Sequence, residues 1–311
     1  MDAVETYGLT RLYAAHRGIE GATLRLARGE VFGFLGPNGS GKSTLLGVLA
    51  TRLGPRAGSF RILGHDGARE PAAIRRLIGY LPEGTAHWGT LSGFQNAWFF
   101  ARAYGLGQAE ARARLEGFFT WAGLWDQRGA PVETYSYGMK RKLALLEALV
   151  HLPPVLLLDE PTLGLDYASE VALRARLAEL AAAGTTVLIA TNDVALAQAV
   201  CHRVAFLHRG RVAETGRPGD FLAALGGRVE IALTLTQAVD PALLRGLPGV
   251  EAVTFQEGGP LVVAMDRPGL LADVVSAVTA GGGRIAHVRV REPDLGDAFI
   301  RVTGESMAGG R

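Results

Sequence analysis

One stretch constrains this chain more than any other: Val31 to Thr44, which reads Val-Phe-Gly-Phe-Leu-Gly-Pro-Asn-Gly-Ser-Gly-Lys-Ser-Thr. Val31 to Leu35 predicts a short buried strand, Gly36 to Gly41 a loop, and Lys42 to Leu53 a helix closed by Gly54 and Pro55. Gly36, Gly39 and Gly41 remove the side chains that would keep the backbone from wrapping a polyphosphate. Consecutive N–H groups and the helix N-terminus can then face its oxygens. This is a P-loop, in which Lys42 would reach the β- and γ-phosphates and the Ser43 hydroxyl would ligate Mg²⁺. Pro37, Asn38, Ser40 and Thr44 complete the phosphate-facing stretch. The plain alternative, a glycine-rich turn with a surface lysine, does not explain why the motif is complete and stands between a strand and a helix.

A second signal of phosphate chemistry follows downstream. Val155 to Leu158 predicts a short apolar strand that ends in Asp159 and Glu160. A carboxylate at the carboxyl end of a buried strand beside a P-loop can hold the Mg²⁺ shell, and a second one can polarise a water. The alternative is a pair of helix-capping acids. Tyr13 could stack on a nucleobase or simply pack as a half-buried strand tyrosine.

The 311 residues are 48% hydrophobic and 20% charged, enough for two folded domains. A formal charge of +2, from 32 basic and 30 acidic residues, carries no electrostatic footprint for nucleic acid. The single cysteine, Cys201, cannot close an intrachain disulfide, and no basic-then-apolar leader precedes the first strand. Both predict a cytosolic chain. No apolar run approaches the roughly 18 residues needed to span a bilayer, so any membrane function would come through another chain.

In order, strands are predicted at Leu9 to Tyr13 and Ala22 to Leu26, around a turn at Arg17-Gly18. Gly58 to Leu63 forms another, ending in a Gly-His-Asp-Gly turn. Ala72 to Leu77 reads as a helix, and strand Ile78 to Leu81 leads to Pro82-Glu83. From Leu91 to about Val150 the pattern is helical and rich in aromatics, including Trp98, Phe99, Phe100 and Tyr104. Helix Ala168 to Ala183, strand Thr185 to Thr191, helix Val194 to Val200 and a hairpin turning at Arg209-Gly210 close the domain. His202 and His208 read as isolated packing or surface histidines. After a break over 218–227, marked by Gly216-Arg217-Pro218-Gly219 and Gly226-Gly227, a βαββαβ order follows. It comprises Val229 to Leu235, Pro241 to Leu247, Val250 to Gln256, Leu261 to Met265, Gly269 to Ala280 and Ile285 to Arg291, with a last helix around Leu295 to Ile300. That order resembles a small α+β ferredoxin-like domain over 228–304. It has no catalytic cluster and is expected to be regulatory or dimerising, with a frayed tail from Gly304 through 305–311.

Tyr135-Ser136-Tyr137-Gly138-Met139 stands between the helical insertion and the Asp159-Glu160 strand. Taken with the P-loop, it makes residues 1–217 resemble the ATP-binding subunit of an ABC transporter, with Tyr135 to Met139 similar to the family signature. The resemblance implies an α/β P-loop NTPase fold with an antiparallel β subdomain and a helical subdomain over about 91–150. It also implies ATP and Mg²⁺, sandwiched head to tail between two such subunits in a homo- or heterodimer. Ser136 and Gly138 would meet the γ-phosphate held by the opposite subunit, and Tyr13 would stack on adenine. Glu160 would be the general base, Asp159 with Ser43 would hold the metal, and Asp166 would belong to the loop that links the two sites. Glu83 falls where the family usually carries a glutamine that senses Mg²⁺ and the attacking water. The loop after it, with His87 and Trp88, would lie near the groove that receives a helix of the membrane subunit.

One position departs from the pattern. The family places a histidine where this chain has Asn192, which can donate a hydrogen bond but carries no positive charge. Two outcomes stay open: an adequate substitute, or a regulatory or degenerate-site subunit that binds ATP and turns over slowly. Arg291 to Phe299 is similar to the ending of bacterial members that pair with separate six-helix permeases, often as exporters. The resemblance therefore implies an ATPase, peripheral on the inner face of the cell membrane, partnered by a transmembrane permease in a separate chain and not by nucleic acid.

Overall fold

The computed structural model describes residues 2–13, 17–226, 229–255, 260–266 and 268–307. They form two compact units, Met1–Arg217 with Val302–Arg311, and Pro218–Arg301. In chain order the first unit contains β1 (Asp2–Leu12), β2 (Gly18–Ala27), β3 (Val31–Leu35), α1 (Lys42–Leu49), β4 (Ala57–Ile62), β5 (His65–Asp66), α2 (Pro71–Leu77) and β6 (Ile78–Leu81). It continues with α3 (Gly93–Ala103), α4 (Gln108–Trp121), α5 (Tyr137–Leu149), β7 (Val155–Asp159), α6 (Tyr167–Ala182), β8 (Thr186–Thr191), α7 (Val194–Val200), β9 (Arg203–His208) and β10 (Arg211–Gly216).

The central sheet runs β10-β9-β3-β8-β7-β6, parallel except for β10. Every residue of β3, β7 and β8 is buried. Strands covered on both faces read as unbroken apolar runs, which is why these three are legible without alternation. The register pairs Leu35 with Thr191 and Asp159 with Ala190. The carboxyl ends of β3, β8 and β7 are therefore flush on one rim, where open parallel sheets take their ligands.

A second, antiparallel sheet runs β2-β1-β4-β5. Strand β1 is longer than predicted because its ladder with β2 shifts register between Thr6 and Leu9, with Gly8 at φ +57°, and then continues. The Gly-His-Asp-Gly segment, expected as a turn, contributes β5. Helix α1 ends at Leu49 and not at Leu53: Thr51 adopts φ +57° and the Arg52 N–H returns to the Gly47 carbonyl, closing the last turn. A capping box between Ser92 and Gln95 starts α3. Among the described residues no helix is long and apolar enough to cross a membrane.

The second unit contains α8 (Pro218–Ala224), β11 (Val229–Gln237), α9 (Ala242–Arg245), β12 (Val250–Phe255), β13 (Leu261–Met265), α10 (Leu271–Ala280), β14 (Arg284–Arg291) and the start of α11 (Leu295–Thr303). Its sheet is β12-β13-β11-β14, with every neighbouring pair antiparallel. Ile231, Leu233, Val263 and Met265 share a core with Leu244, Val274 and Val278. Gly227, Gln256 and the tail at 308–311 lie outside the described residues.

Two expectations about histidines and the chain end are revised. Glu305, expected in a frayed tail, has its carboxylate 2.9 Å from His208 Nε2 and paired with Arg209. The turn after β9 thus presents two bases, and His208 is not isolated. His202 Nδ1 accepts the Val31 N–H at 2.9 Å, a packing contact at the start of β3.

Cys201 ends α7 and is buried against Gly33, where an added Cβ would come 2.9 Å from its Sγ. Burial pushes the thiol up to about 12. Since the thiolate is the reactive form, Cys201 is expected to resist an aromatic disulfide reagent at pH 8 in the native protein and to react fully once guanidinium unfolds it, as followed by thiolate release.

Candidate functional site

The loop after β3 turns into α1 through Gly41, at φ +108°. A Cβ there would stand 2.2 Å from the Gly18 carbonyl oxygen, so only glycine fits both the conformation and the space. A cavity of about 300 Å³ is lined by Asn38, Gly39, Gly41, Lys42, Ser43 and Thr44 together with Tyr13, Arg17, Gly18, Glu83 and Glu160. Residues from four separate segments predicted to share a nucleotide are thus gathered at one place. Tyr13 is 44% exposed, a surface ring and not core packing. A larger cleft, about 810 Å³, lies wholly within 224–301 and carries none of these residues.

Lys42 is buried, and its ammonium donates to the Gly36 and Pro37 carbonyls at 2.7 and 3.2 Å and lies 3.7 Å from Glu160 Oε1. Burial pulls its pKa down, against the opposing pull of Glu160, Asp159 and Glu83. Ser43 Oγ donates to Asp159 Oδ1 at 3.2 Å. Burial, reinforced by Glu83 and Glu160, pushes the Asp159 carboxyl up to about 6, although Ser43 and Lys42 work the other way. No three His, Cys, Asp or Glu side chains form a metal cluster among the described residues. The donor set at hand is a hydroxyl and a carboxylate, which suits Mg²⁺, a cation that keeps several waters and takes substrate phosphate oxygens as its other ligands. Crowded carboxylates facing a phosphate loop fit such a cation.

Glu160 carries backbone strain, at φ +46°. Its carboxylate is held from β8: Oε2 accepts from Thr191 Oγ1 at 2.9 Å, and Oε1 accepts from the Asn192 N–H at 3.1 Å. Position 192 therefore supports Glu160 through its backbone, while the Asn192 residue itself is exposed.

Ser136 caps α5, its Oγ accepting from the Met139 N–H at 3.2 Å. A Cβ on Gly138 would stand 2.6 Å from the Gly164 carbonyl oxygen, so this glycine permits close approach to the loop before α6. Asp166 caps α6 and lies 3.5 Å from Lys142 Nζ. Ser136, Gly138 and Asp166 do not line the P-loop cavity of their own chain.

In the loop expected near a partner's groove, the His87 side chain is buried, with Nε2 at 3.3 Å from Glu147 Oε2. Burial raises the Glu147 carboxyl, which makes a neighbouring imidazole its natural partner. Trp88 is 47% exposed and meets the 52% exposed Phe99 edge to face, at 4.7 Å between centroids. Buried Asn96 holds that loop, accepting from the Trp88 N–H and donating to the Trp88 and Ser92 carbonyls. Arg17, Asn96, Glu147 and Arg141 went unmarked in the sequence. Arg17 stands in the turn predicted after Tyr13, the one available hint.

Residues 19–163 match the family described as "ABC transporter". The chain is 36% identical to the daunorubicin resistance ATP-binding protein DrrA3 of Streptomyces coeruleorubidus, over 97% of this chain and 96% of that protein. It is 33% identical to the Nod factor export ATP-binding protein I of Paraburkholderia xenovorans (strain LB400), over 98% of each. A solved structure of an ATP-binding subunit of an ABC transporter superposes with a TM-score of 0.67 at 32% identity, covering 72% of this chain and 93% of the other.

The raised Asp159 carboxyl has a consequence for stability. Its folded pKa stands above the ordinary 3.8, so the folded state holds the proton longer, and this group costs stability as pH rises from about 4 to about 6. In metal-free protein, Asp159→Asn should raise stability at pH 8 by about 1–3 kcal/mol, with the difference vanishing near pH 4, measured by denaturant titration at both pH values.

Proposed function

The chain belongs to the ABC transporter family, as an ATP-binding and ATP-hydrolysing subunit, and from that premise we propose that two copies close head to tail on Mg-ATP to drive a separate transmembrane permease of exporter type. The observation that carries the reading is the convergence of Lys42, Ser43, Glu83, Glu160 and Tyr13 on one cavity beneath the P-loop. Lys42 exchanges the loop carbonyls for phosphate oxygens. Tyr13 supplies a stacking face for adenine. Ser43 and Asp159 would hold Mg²⁺, with Glu83 within reach of the same cavity, and the cation would supply positive charge against the phosphates. Glu160, oriented by Thr191 and the Asn192 N–H, takes the proton of the attacking water.

Ser136 and Gly138 stand outside the cavity of their own chain, which favours their use on the nucleotide of a second copy, where the α5 N-terminus offers N–H groups to phosphate. Asp166 then sits at the junction between the two sites. Names of relatives in drug resistance and Nod factor export favour export, and the exposed Trp88–Phe99 pair is a suitable contact for a permease helix at the inner membrane face. The second unit, whose edge strand β14 leaves Val288 and Val290 exposed, is read as regulatory or dimerising.

Asn192 is read as an adequate substitute, because what position 192 contributes to Glu160 is a backbone N–H that any residue but proline supplies. Steady-state hydrolysis by the purified chain tests this. Glu160→Gln should lower kcat by about 10²–10⁴-fold while ATP binding persists, and Asn192→His should change kcat by less than about tenfold. A parent that binds ATP but barely hydrolyses it, with turnover restored by Asn192→His, would instead make the chain a slow, partner-dependent site.

A further inference from the structure

Arg141 lies in the second turn of α5 and is 1% exposed. One of its terminal nitrogens, Nη1, donates to the Pro82 carbonyl at 2.6 Å and to the Glu83 carbonyl at 2.9 Å. The other, Nη2, donates to the Glu160 carbonyl at 2.7 Å and to that of Asp159. One guanidinium thus joins the turn after β6, which carries Glu83, to the turn after β7, which carries Glu160. Its Nε is buried without a hydrogen-bond partner. A buried charge with an unpaired donor is not what stability alone selects, since a buried ion is often replaceable by apolar packing at no loss.

We infer that Arg141 is a positioning residue for hydrolysis, fixing the Glu83 turn against the Asp159-Glu160 turn and tying both to the helix that starts at Ser136. Glu160 has φ +46°, a backbone state that persists only where the surroundings over-determine it. The carbonyls of Asp159 and Glu160 are the groups that flank that strained residue, and Arg141 holds both. Because α5 begins at Ser136, which the proposed function assigns to the opposite nucleotide, the same side chain would link what happens at one ATP to the geometry of the base at the other. Lysine cannot replace it: a single ammonium lacks the planar fork that reaches two turns at once.

This inference rests on the proposed ATPase function, and the test separates the two. Steady-state hydrolysis, binding of a fluorescent ATP analogue and thermal midpoint are measured for the parent, Arg141→Lys and Arg141→Ala, together with amide exchange at Asn192. The expected result is a fall in kcat on the order of 10–100-fold in Arg141→Lys, with KM and analogue affinity within about threefold. Asn192 amide exchange should quicken, because its acceptor, Glu160 Oε1, is no longer held, and millimolar guanidinium should partly restore kcat in Arg141→Ala. A lowered thermal midpoint with unchanged kcat per folded molecule and unchanged Asn192 exchange would overturn the positioning role. If Arg141→Ala fails to fold, Arg141→Lys decides alone. A parent without turnover would sink the ATPase reading instead, and Asn192 exchange would still report on Arg141.

Discussion

Parallel strands in register are the constraint from which the rest of this molecule follows. Because β3, β8 and β7 run the same way and end flush, the P-loop, Asn192 and the Asp159-Glu160 pair emerge side by side although they are far apart in sequence. An antiparallel arrangement would have sent one of these loops to the opposite rim. The burial of all three strands on both faces makes the rim stiff enough to hold groups at fixed separation.

At that rim the governing problem is charge. Lys42, Asp159 and Arg141 are all nearly removed from solvent, and burial is the largest influence on each of their protonation equilibria. Lys42 resolves its burial through carbonyls and Glu160, and Arg141 through four carbonyls. Against two neighbouring carboxylates Asp159 has the Ser43 hydroxyl and the charges of Lys42 and Arg141. The arrangement is short of positive charge just where Mg²⁺ and the phosphate-facing N–H groups would act, so ligand binding completes it electrostatically.

Much of the fold was legible because its signals are local. The P-loop lies within one window, buried parallel strands are short apolar runs, and the chain carries glycine where φ must be positive, as at Gly41. Errors occurred where a residue's surroundings come from elsewhere. The burial of His87 is illegible because nothing nearby in sequence reveals Glu147 on α5. His208 read as isolated because its partner, Glu305, lies 97 positions away. The α1 terminus was misjudged for a different reason: Thr51 closes the helix in a left-handed conformation that a non-glycine residue seldom adopts.

The sequence by itself determined the P-loop, the order of the strands along the chain and the residues expected to meet phosphate, since each depends on neighbours within a turn or a strand. Only the tertiary structure decided which charges are buried and what they hold. Arg141 sits in the basic run Lys140-Arg141-Lys142 and has the local context of a solvated side chain. It is buried because carbonyls 59 and 18 positions away converge on it. A side chain's hydration is set by everything within a few ångströms, and sequence proximity supplies only part of that shell.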